Sequence, residues 1–139
     1  MSRDPLADEV WRDLAAVVFD NRDNWRRATV EASGLPFSRV RVLRRLARGP
    51  MSPKQIAEAA TMDAPATTVA INDLEDRGLV IRTPDPTNRR SKLVSLTDAG
   101  RDVEALITSI DDPAPPVFDA LSEDELRALR DILAKLRAY

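Results

Sequence analysis

The 139-residue sequence contains neither cysteine nor histidine. These two absences exclude disulfide bonds, thiol redox sensing and the usual zinc sites, which need thiolate or imidazole ligands. They also exclude Ser-His and Cys-His catalysis, because the general base is missing. No pair of carboxylates lies in an apolar setting that would tune a pKa for acid–base chemistry. We therefore expect a protein that is not an enzyme and that uses no metal and no cofactor.

Long apolar runs are also missing, and aromatic residues make up only 4% of the chain, so the core must be mainly aliphatic. The first ten residues, MSRDPLADEV, have no apolar signal segment, and no apolar run reaches the about 18 residues that a membrane span needs. We expect a cytoplasmic protein that does not contact a membrane. The length fits a single domain over residues 1–139.

What the sequence does contain is a series of apolar stripes at helical spacing, separated by proline, glycine and N-cap residues. The predicted helices cover residues 6–31, 37–48, 53–60, 64–77, 98–110 and 123 onward. The third and fourth are short, are joined by a tight turn, and end at Gly78, which is typical of a helix-turn-helix. The two outermost helices are long and amphipathic, and this favours packing on a partner subunit.

The segment 79–96 changes to the periodicity of a β-hairpin. Residues 79–83 and 92–96 predict two strands, and the proline-containing stretch 84–88 predicts the turn between them. Arg89, Arg90 and Lys92 then lie near the tip. Such a tip suits a wing that enters the minor groove of DNA, where arginine meets a focused negative potential. The alternative is a charged turn that is merely solvated.

The helix over 64–77 has the features of a recognition helix. Its inward stripe is Thr67, Ala70, Ile71 and Leu74, so the opposite face offers small and polar groups to the major groove. The alternative is an ordinary surface helix, because the second half of the helix is acidic and would repel phosphate. Both interpretations hold together if only the N-terminal half enters the groove.

The helix over 37–48 carries five arginines on its outer face. They suit phosphate contacts, ion pairs with acidic residues elsewhere, or simple solvation, and the sequence does not separate these alternatives. We assign only Ser38 and Arg39 to phosphate, because they lie at a helix N-terminus.

Three segments resemble the MarR (multiple antibiotic resistance regulator) family. They are LVIRTPDPTNRRSKLVSLTDAGR at 79–101, LEDRG at 74–78 and GPMSPKQIA at 49–57. The resemblance implies a mainly α fold with a small β-hairpin wing: a winged helix-turn-helix core over about 35–101, flanked by dimerisation helices over 1–34 and 102–139. It also implies a homodimer on a pseudo-palindromic DNA operator.

The resemblance assigns Arg90 to the minor groove, and Thr68 and Val69 to the major groove. The full set of predicted DNA contacts is Ser38, Arg39, Ser52, Lys54, Gln55, Pro65, Ala66, Thr68, Val69, Asn72, Arg82, Asn88, Arg89, Arg90 and Lys92. Members of the family usually repress transcription. The alternative for this chain is an architectural or protein-binding winged helix that responds to no ligand.

Family members commonly release DNA when a small aromatic ligand enters the cleft between the dimer region and the winged domain. We expect the first, second and fifth predicted helices to form its walls. Phe19, Trp25, Phe37 and Leu43 are the candidate lining residues. The alternative for each of the four is a place in the hydrophobic core.

Three positions depart from the family pattern. Asn72 and Asn88 stand where many members have aspartates that hold the wing arginine, and Val69 stands where an arginine is frequent. Asp73 or Asp85 would then have to hold the wing arginine, or the wing is looser. These departures affect the operator sequence and the affinity rather than the fold.

Overall fold

The computed structural model describes residues 3–138, which form a mainly helical fold with one antiparallel β-hairpin, as the sequence predicted. The elements are α1 (Pro5–Asp20), α2 (Asp23–Ser33), α3 (Phe37–Leu46), α4 (Pro53–Ala60), α5 (Ala64–Asp76), β1 (Val80–Asp85), β2 (Asn88–Leu96), α6 (Asp98–Thr108), a short 3-10 helix (Pro116–Ala120) and α7 (Glu123–Arg137). None of the helices described over residues 3–138 is long and apolar enough to cross a membrane.

Local capping sets where the helices of the helix-turn-helix begin. The Ser52 side chain accepts a hydrogen bond from the Gln55 N–H at 3.2 Å, and the Gln55 side chain accepts one from the Ser52 N–H at 2.9 Å. This capping box satisfies two amides that have no partner inside α4. Asp63 caps α5 in the same way by accepting from the N–H of Ala66 at 2.7 Å.

The prediction of one long helix over residues 6–31 is wrong, because the helix breaks at Asn21 and Arg22. The Asn21 side-chain amide donates to the Val17 carbonyl at 2.8 Å, and its backbone N–H bonds to Val18, only three residues back. Asparagine thereby takes over a carbonyl of the last turn and ends the helical ladder. The chain resumes as a separate helix, α2.

The core lies among α3, α4, α5, α6 and the hairpin, which contact one another. Its most deeply buried side chains are aliphatic, as the low aromatic content required. They are Val40, Val42, Leu43, Ile56, Ile71, Leu74, Val94 and Ile107. The helix-turn-helix and the hairpin are thus held on one common core.

The hairpin is fixed to the helices at its base. β1 pairs with β2 from Val80↔Leu96 to Pro84↔Lys92, and Met51 adds a short bridge to Val94 on the outer side of β2. Thr97, the N-cap of α6, donates its hydroxyl to the Gly78 carbonyl at 2.6 Å. These bonds fix the direction in which the wing leaves the domain.

Candidate nucleic-acid interface and adjoining cavity

The two faces of α5 differ as the sequence predicted. Thr67, Ala70, Ile71 and Leu74 are buried, and each is at most 1% exposed. The opposite face is open to solvent and consists of Pro65, Ala66, Thr68, Val69 and Asn72. Its groups are small or short and polar, so the backbone of α5 is free to approach a groove wall closely.

The wing tip is ordered by two short side chains. Asp85 accepts hydrogen bonds from the Thr87 N–H at 2.9 Å and the Thr87 hydroxyl at 2.8 Å, and these bonds lower the pKa of the Asp85 carboxyl. Asn88 accepts from the backbone N–H of Arg90 at 3.1 Å. The turn is therefore held by its own backbone, and its cationic side chains are left out of that network.

Arg89, Arg90 and Lys92 are exposed at this tip. Within residues 3–138, none of the three side chains forms an ion pair or a hydrogen bond with another protein group. Three adjacent cations without a carboxylate create a positive potential, which an external anion would neutralise.

The expectation that Asp73 or Asp85 holds the wing arginine is wrong. Asp85 is used by its own turn, and Asp73 binds arginines elsewhere. The arginine that is held is Arg82 at the base of β1, which donates to Glu75 at 2.8 Å and to Asn72 at 2.6 Å. Arg82, predicted as a DNA contact, thus links the wing to α5. Glu75 went unnoticed, although its spacing of three residues from Asn72 on α5 places both on one face.

Asp73 is shared by two arginines and links α3 to α5. Its carboxylate accepts from Arg77 at 3.0 Å and from Arg39 at 2.9 Å, and these hydrogen bonds lower the pKa of Asp73. Arg39 also donates to the hydroxyl of Ser38 at 3.0 Å. Both residues predicted to bind phosphate at the start of α3 are therefore engaged within the protein.

The predicted contacts on α4 separate into two kinds. Ser52 and Gln55 bond to each other in the capping box, whereas Lys54 is exposed on the first turn. Charge is nevertheless concentrated in this domain, because residues 35–101 hold 12 of the 21 lysines and arginines against 7 of the 23 aspartates and glutamates. The winged domain is therefore cationic inside a chain of net charge −2.

A cavity of about 250 Å³ lies where the end of α1 and the start of α2 face α3. Phe19, Trp25 and Phe37 line it, as expected, and the Trp25 and Phe37 rings meet edge to face at 5.9 Å. Leu43 does not line it, because its side chain is fully buried in the core. The fifth predicted helix, which corresponds to α6, contributes nothing to the lining.

The sequence analysis missed the five arginines in this wall, which are Arg22, Arg26, Arg41, Arg44 and Arg45. Three of their guanidinium groups lie over aromatic rings: those of Arg22 and Arg44 over Trp25 at 4.5 and 4.9 Å, and that of Arg26 over Phe37 at 4.8 Å. A spacing of three or four residues from an aromatic residue on the same helix was the available signal for Arg22 and Arg41.

Two helices leave apolar side chains uncovered. The exposed set is Leu6, Val10, Trp11, Val17, Val18 and Phe19 on α1, and Leu126, Ile132 and Leu136 on α7. Neither helix contains a buried residue. As for metal binding, the described part of the chain holds no group of three or more acidic side chains arranged to bind an ion.

Comparison with known proteins gives a consistent family assignment. Residues 33–91 match the sequence model of the MarR family. The uncharacterised HTH-type transcriptional regulator YwhA of Bacillus subtilis is 31% identical over 84 residues, which are 60% of this chain and 60% of YwhA. The chain spans less than two thirds of the length of the curated relatives it matches first, at 60%, 62% and 65%.

Solved structures share the whole arrangement of elements. Apo MarR from E. coli has a TM-score of 0.76 at 21% identity, with 97% of this chain and 98% of that chain covered. Sco3205, a MarR family transcriptional regulator from Streptomyces coelicolor solved in complex with DNA, has a TM-score of 0.63 at 21% identity over 99% and 89% of the two chains. At these identities the similarity establishes the winged-helix fold.

Proposed function

The chain belongs to the MarR family, and from that premise we propose that it is a sequence-specific transcription regulator that binds double-stranded DNA. The observation that carries this proposal is the pairing of two exposed features. The small and polar face of α5 is joined through Arg82 and Asn72 to a wing whose tip cations Arg89, Arg90 and Lys92 have no protein partner within residues 3–138. The family's DNA complexes, including E. coli MarR with operator DNA, support the same docking.

In this docking, the N-terminal half of α5 enters the major groove. Thr68 and Val69 face base edges and thymine methyl groups, while Arg90 enters the minor groove beside it. The acidic second half of α5 stays out of the groove, because its Asp73 and Glu75 carboxylates already bind arginines of the same domain. Arg39 and Arg82 then act by orienting the helix and the wing rather than by contacting phosphate.

We further propose that the active form is a homodimer built from α1 and α7. The apolar side chains on these helices amount to an uncovered surface larger than a soluble monomer usually presents. A two-fold dimer would hold two winged domains, and such dimers bind half-sites about one helical turn apart. A pseudo-palindromic operator follows from this symmetry.

The third part of the proposal is that a small aromatic ligand controls DNA binding from the cavity beside Trp25 and Phe37. The protein acts as a repressor in this scheme, and the ligand shifts the dimer to a geometry that no longer fits the groove spacing. A coupling of about 1–3 kcal/mol is enough to change the DNA affinity about 5–150-fold.

DNA binding is tested by fluorescence anisotropy on the duplex upstream of the protein's own gene, with a scrambled duplex of equal composition, over a salt series. We expect tight binding to the first duplex alone and a steep loss of affinity with salt. Arg90→Ala should weaken binding about tenfold and lower the salt slope by about 1.

Arg101→Ala is the matched control, because it removes the same charge from an exposed arginine that pairs with Asp98 on α6. It should leave the affinity close to that of the wild type. Equal, weak binding to both duplexes together with no effect of Arg90→Ala would contradict the proposal. That outcome would favour a winged helix that binds protein instead of DNA.

A further inference from the structure

Two arginines connect the cavity to the helix-turn-helix. Arg41 and Arg45 lie in the cavity wall, and both reach from α3 to the last carbonyls of α4. Arg45 donates to the Ala59 carbonyl at 2.9 Å, and Arg41 donates to the carbonyl of Ala60 and, at 3.3 Å, to that of Thr61. Carbonyls at a helix C-terminus have no partner within the helix, and arginine is a suitable donor for them.

The turn that these arginines hold has an unusual backbone. Thr61, which ends α4, has φ +54° and ψ +55°, a left-handed conformation that is costly for a β-branched residue. Asp63 follows directly and caps α5. A strained residue persists only where its surroundings hold it. The orientation of α5 relative to α4 therefore depends on the donors that bind Ala60 and Thr61.

The cavity wall is cationic and aromatic at the same time. It contains the five arginines but no carboxylate, and in the part of the chain described here only Arg22 pairs with an acid, Asp112 at 2.6 Å. Guanidinium groups bind carboxylates in a two-pronged geometry, and the Trp25 and Phe37 rings offer faces and edges to a further ring. The wall therefore complements an aromatic ring that carries a carboxylate.

We propose that an aromatic carboxylate bound in this cavity recruits Arg41 and Arg45, withdraws them from the C-terminal carbonyls of α4, and thereby loosens the turn before α5. A guanidinium has a limited number of donors in a fixed plane, so the carboxylate and the backbone carbonyls compete for it. The charged acceptor forms the stronger hydrogen bonds. The inference rests on the proposed ligand-controlled DNA binding, and it names the ligand class and the residues that transmit its effect.

The ligand class is tested with benzoate and benzamide, which have the same shape but differ in charge. The protein carries Trp11→Phe, so that Trp25 is its remaining tryptophan and reports on the cavity by fluorescence. We expect benzoate to bind at least about tenfold more tightly than benzamide. Equal binding of the two compounds, or no change in Trp25 fluorescence with benzoate, would overturn the inference.

The transmission is tested by hydrogen exchange resolved to single amides. The N–H groups of Thr61 and Met62 bond to Glu58 and Ala57 and so close the end of α4. Benzoate should raise their exchange rates about fivefold or more. In Arg41→Met or Arg45→Met protein these amides should exchange fast already without benzoate. Arg48→Met, an exposed arginine just after α3, is the control and should behave like the wild type.

A milder pair of variants keeps the test informative where a methionine variant fails to fold. Arg41→Lys and Arg45→Lys retain the charge of the cavity, so benzoate should still bind. They lose the planar fork that reaches the carbonyls, so the response at Thr61 and Met62 should shrink. Binding of benzoate with unchanged exchange at both amides in the wild type would overturn the transmission.

These measurements need no DNA, and therefore their failure is distinguishable from failure of the proposed function. If the protein binds its duplex, benzoate should lower that affinity about fivefold or more in the wild type, and Arg45→Lys should reduce this effect. A duplex affinity that falls in the wild type and in Arg45→Lys alike would contradict the route through Arg45. A protein that binds benzoate with the exchange response but binds no duplex would retain the transmission and reject the regulator.

Discussion

The winged domain and the terminal helices use the same apolar residue types to different ends. Ile71 on α5 is 0% exposed, whereas Ile132 on α7 is 55% exposed, although both lie in helical stripes that the sequence cannot tell apart. From α3 to α6 each helix buries at least one side chain, but α1 and α7 bury none. The difference teaches that one protomer completes the core of the winged domain, whereas the stripes of the terminal helices need a second molecule to cover them.

The largest effect is expected from Ile71→Ala. Deleting this buried side chain removes its contacts and leaves a cavity beside Leu74 and Val94, which lowers the free energy of unfolding by about 2–5 kcal/mol. The measurement is urea unfolding of wild type and variant followed by circular dichroism. Because the site lies within one protomer, the difference between the two should not change with protein concentration. A loss below about 1 kcal/mol would contradict the assignment of Ile71 to a closed core.

A smaller effect is expected from the same truncation on α7, Ile132→Ala. Truncating a side chain that is buried only in the dimer costs about 1 kcal/mol per protomer, or about 2 kcal/mol per dimer, so the dimer Kd should rise about 30-fold. Sedimentation equilibrium measures this Kd directly. Leu93→Ala, a half-buried aliphatic position on the hairpin, is the control and should leave the Kd unchanged. A wild-type protein that is monomeric at micromolar concentration would contradict the dimer altogether.

Much of the winged domain follows from short-range signals in the sequence. The N-caps Ser52 and Asp63 act on amides two or three residues away, so the starts of α4 and α5 are predictable from local patterns. The inward stripe of α5 is equally local, since it depends on helical periodicity alone. The break at Asn21 escaped prediction because a single side chain there competes with the backbone inside an otherwise continuous stripe.

The pairings between elements are what the sequence does not contain. Arg39 and Asp73 are 34 positions apart, and Arg82 and Asn72 are 10 apart, so each pair depends on how two elements pack. For Arg39 the sequence left phosphate and ion-pair roles open, and the packing of α3 on α5 brings Asp73 to it. The same packing gives Arg41 and Arg45 their carbonyl partners on α4. Composition shows that arginines are available, whereas only the fold shows which are occupied.

The smallest effect concerns Asp73, whose ion pairs join α3 to α5 inside the winged domain. Hydrogen bonds from Arg77 and Arg39 lower the pKa of Asp73 below its usual value of 3.8. A carboxylate with a lowered pKa in the folded state stabilises that state above the unfolded pKa, and this contribution is lost as the pH falls through the folded pKa. Wild type should therefore exceed Asp73→Asn in unfolding free energy near neutral pH, and the two should converge below about pH 4.

Thermal unfolding between neutral pH and strongly acidic pH measures this convergence. Asp76→Asn removes the same charge from an exposed carboxylate on α5 that forms no ion pair within residues 3–138, so it controls for the change in net charge. A constant gap between wild type and Asp73→Asn at every pH would mean that shape rather than charge joins α3 to α5. Convergence only in Asp73→Asn would instead identify this ion-pair network as the pH-sensitive connection of the winged domain, in contrast to the apolar contacts by which the terminal helices would associate.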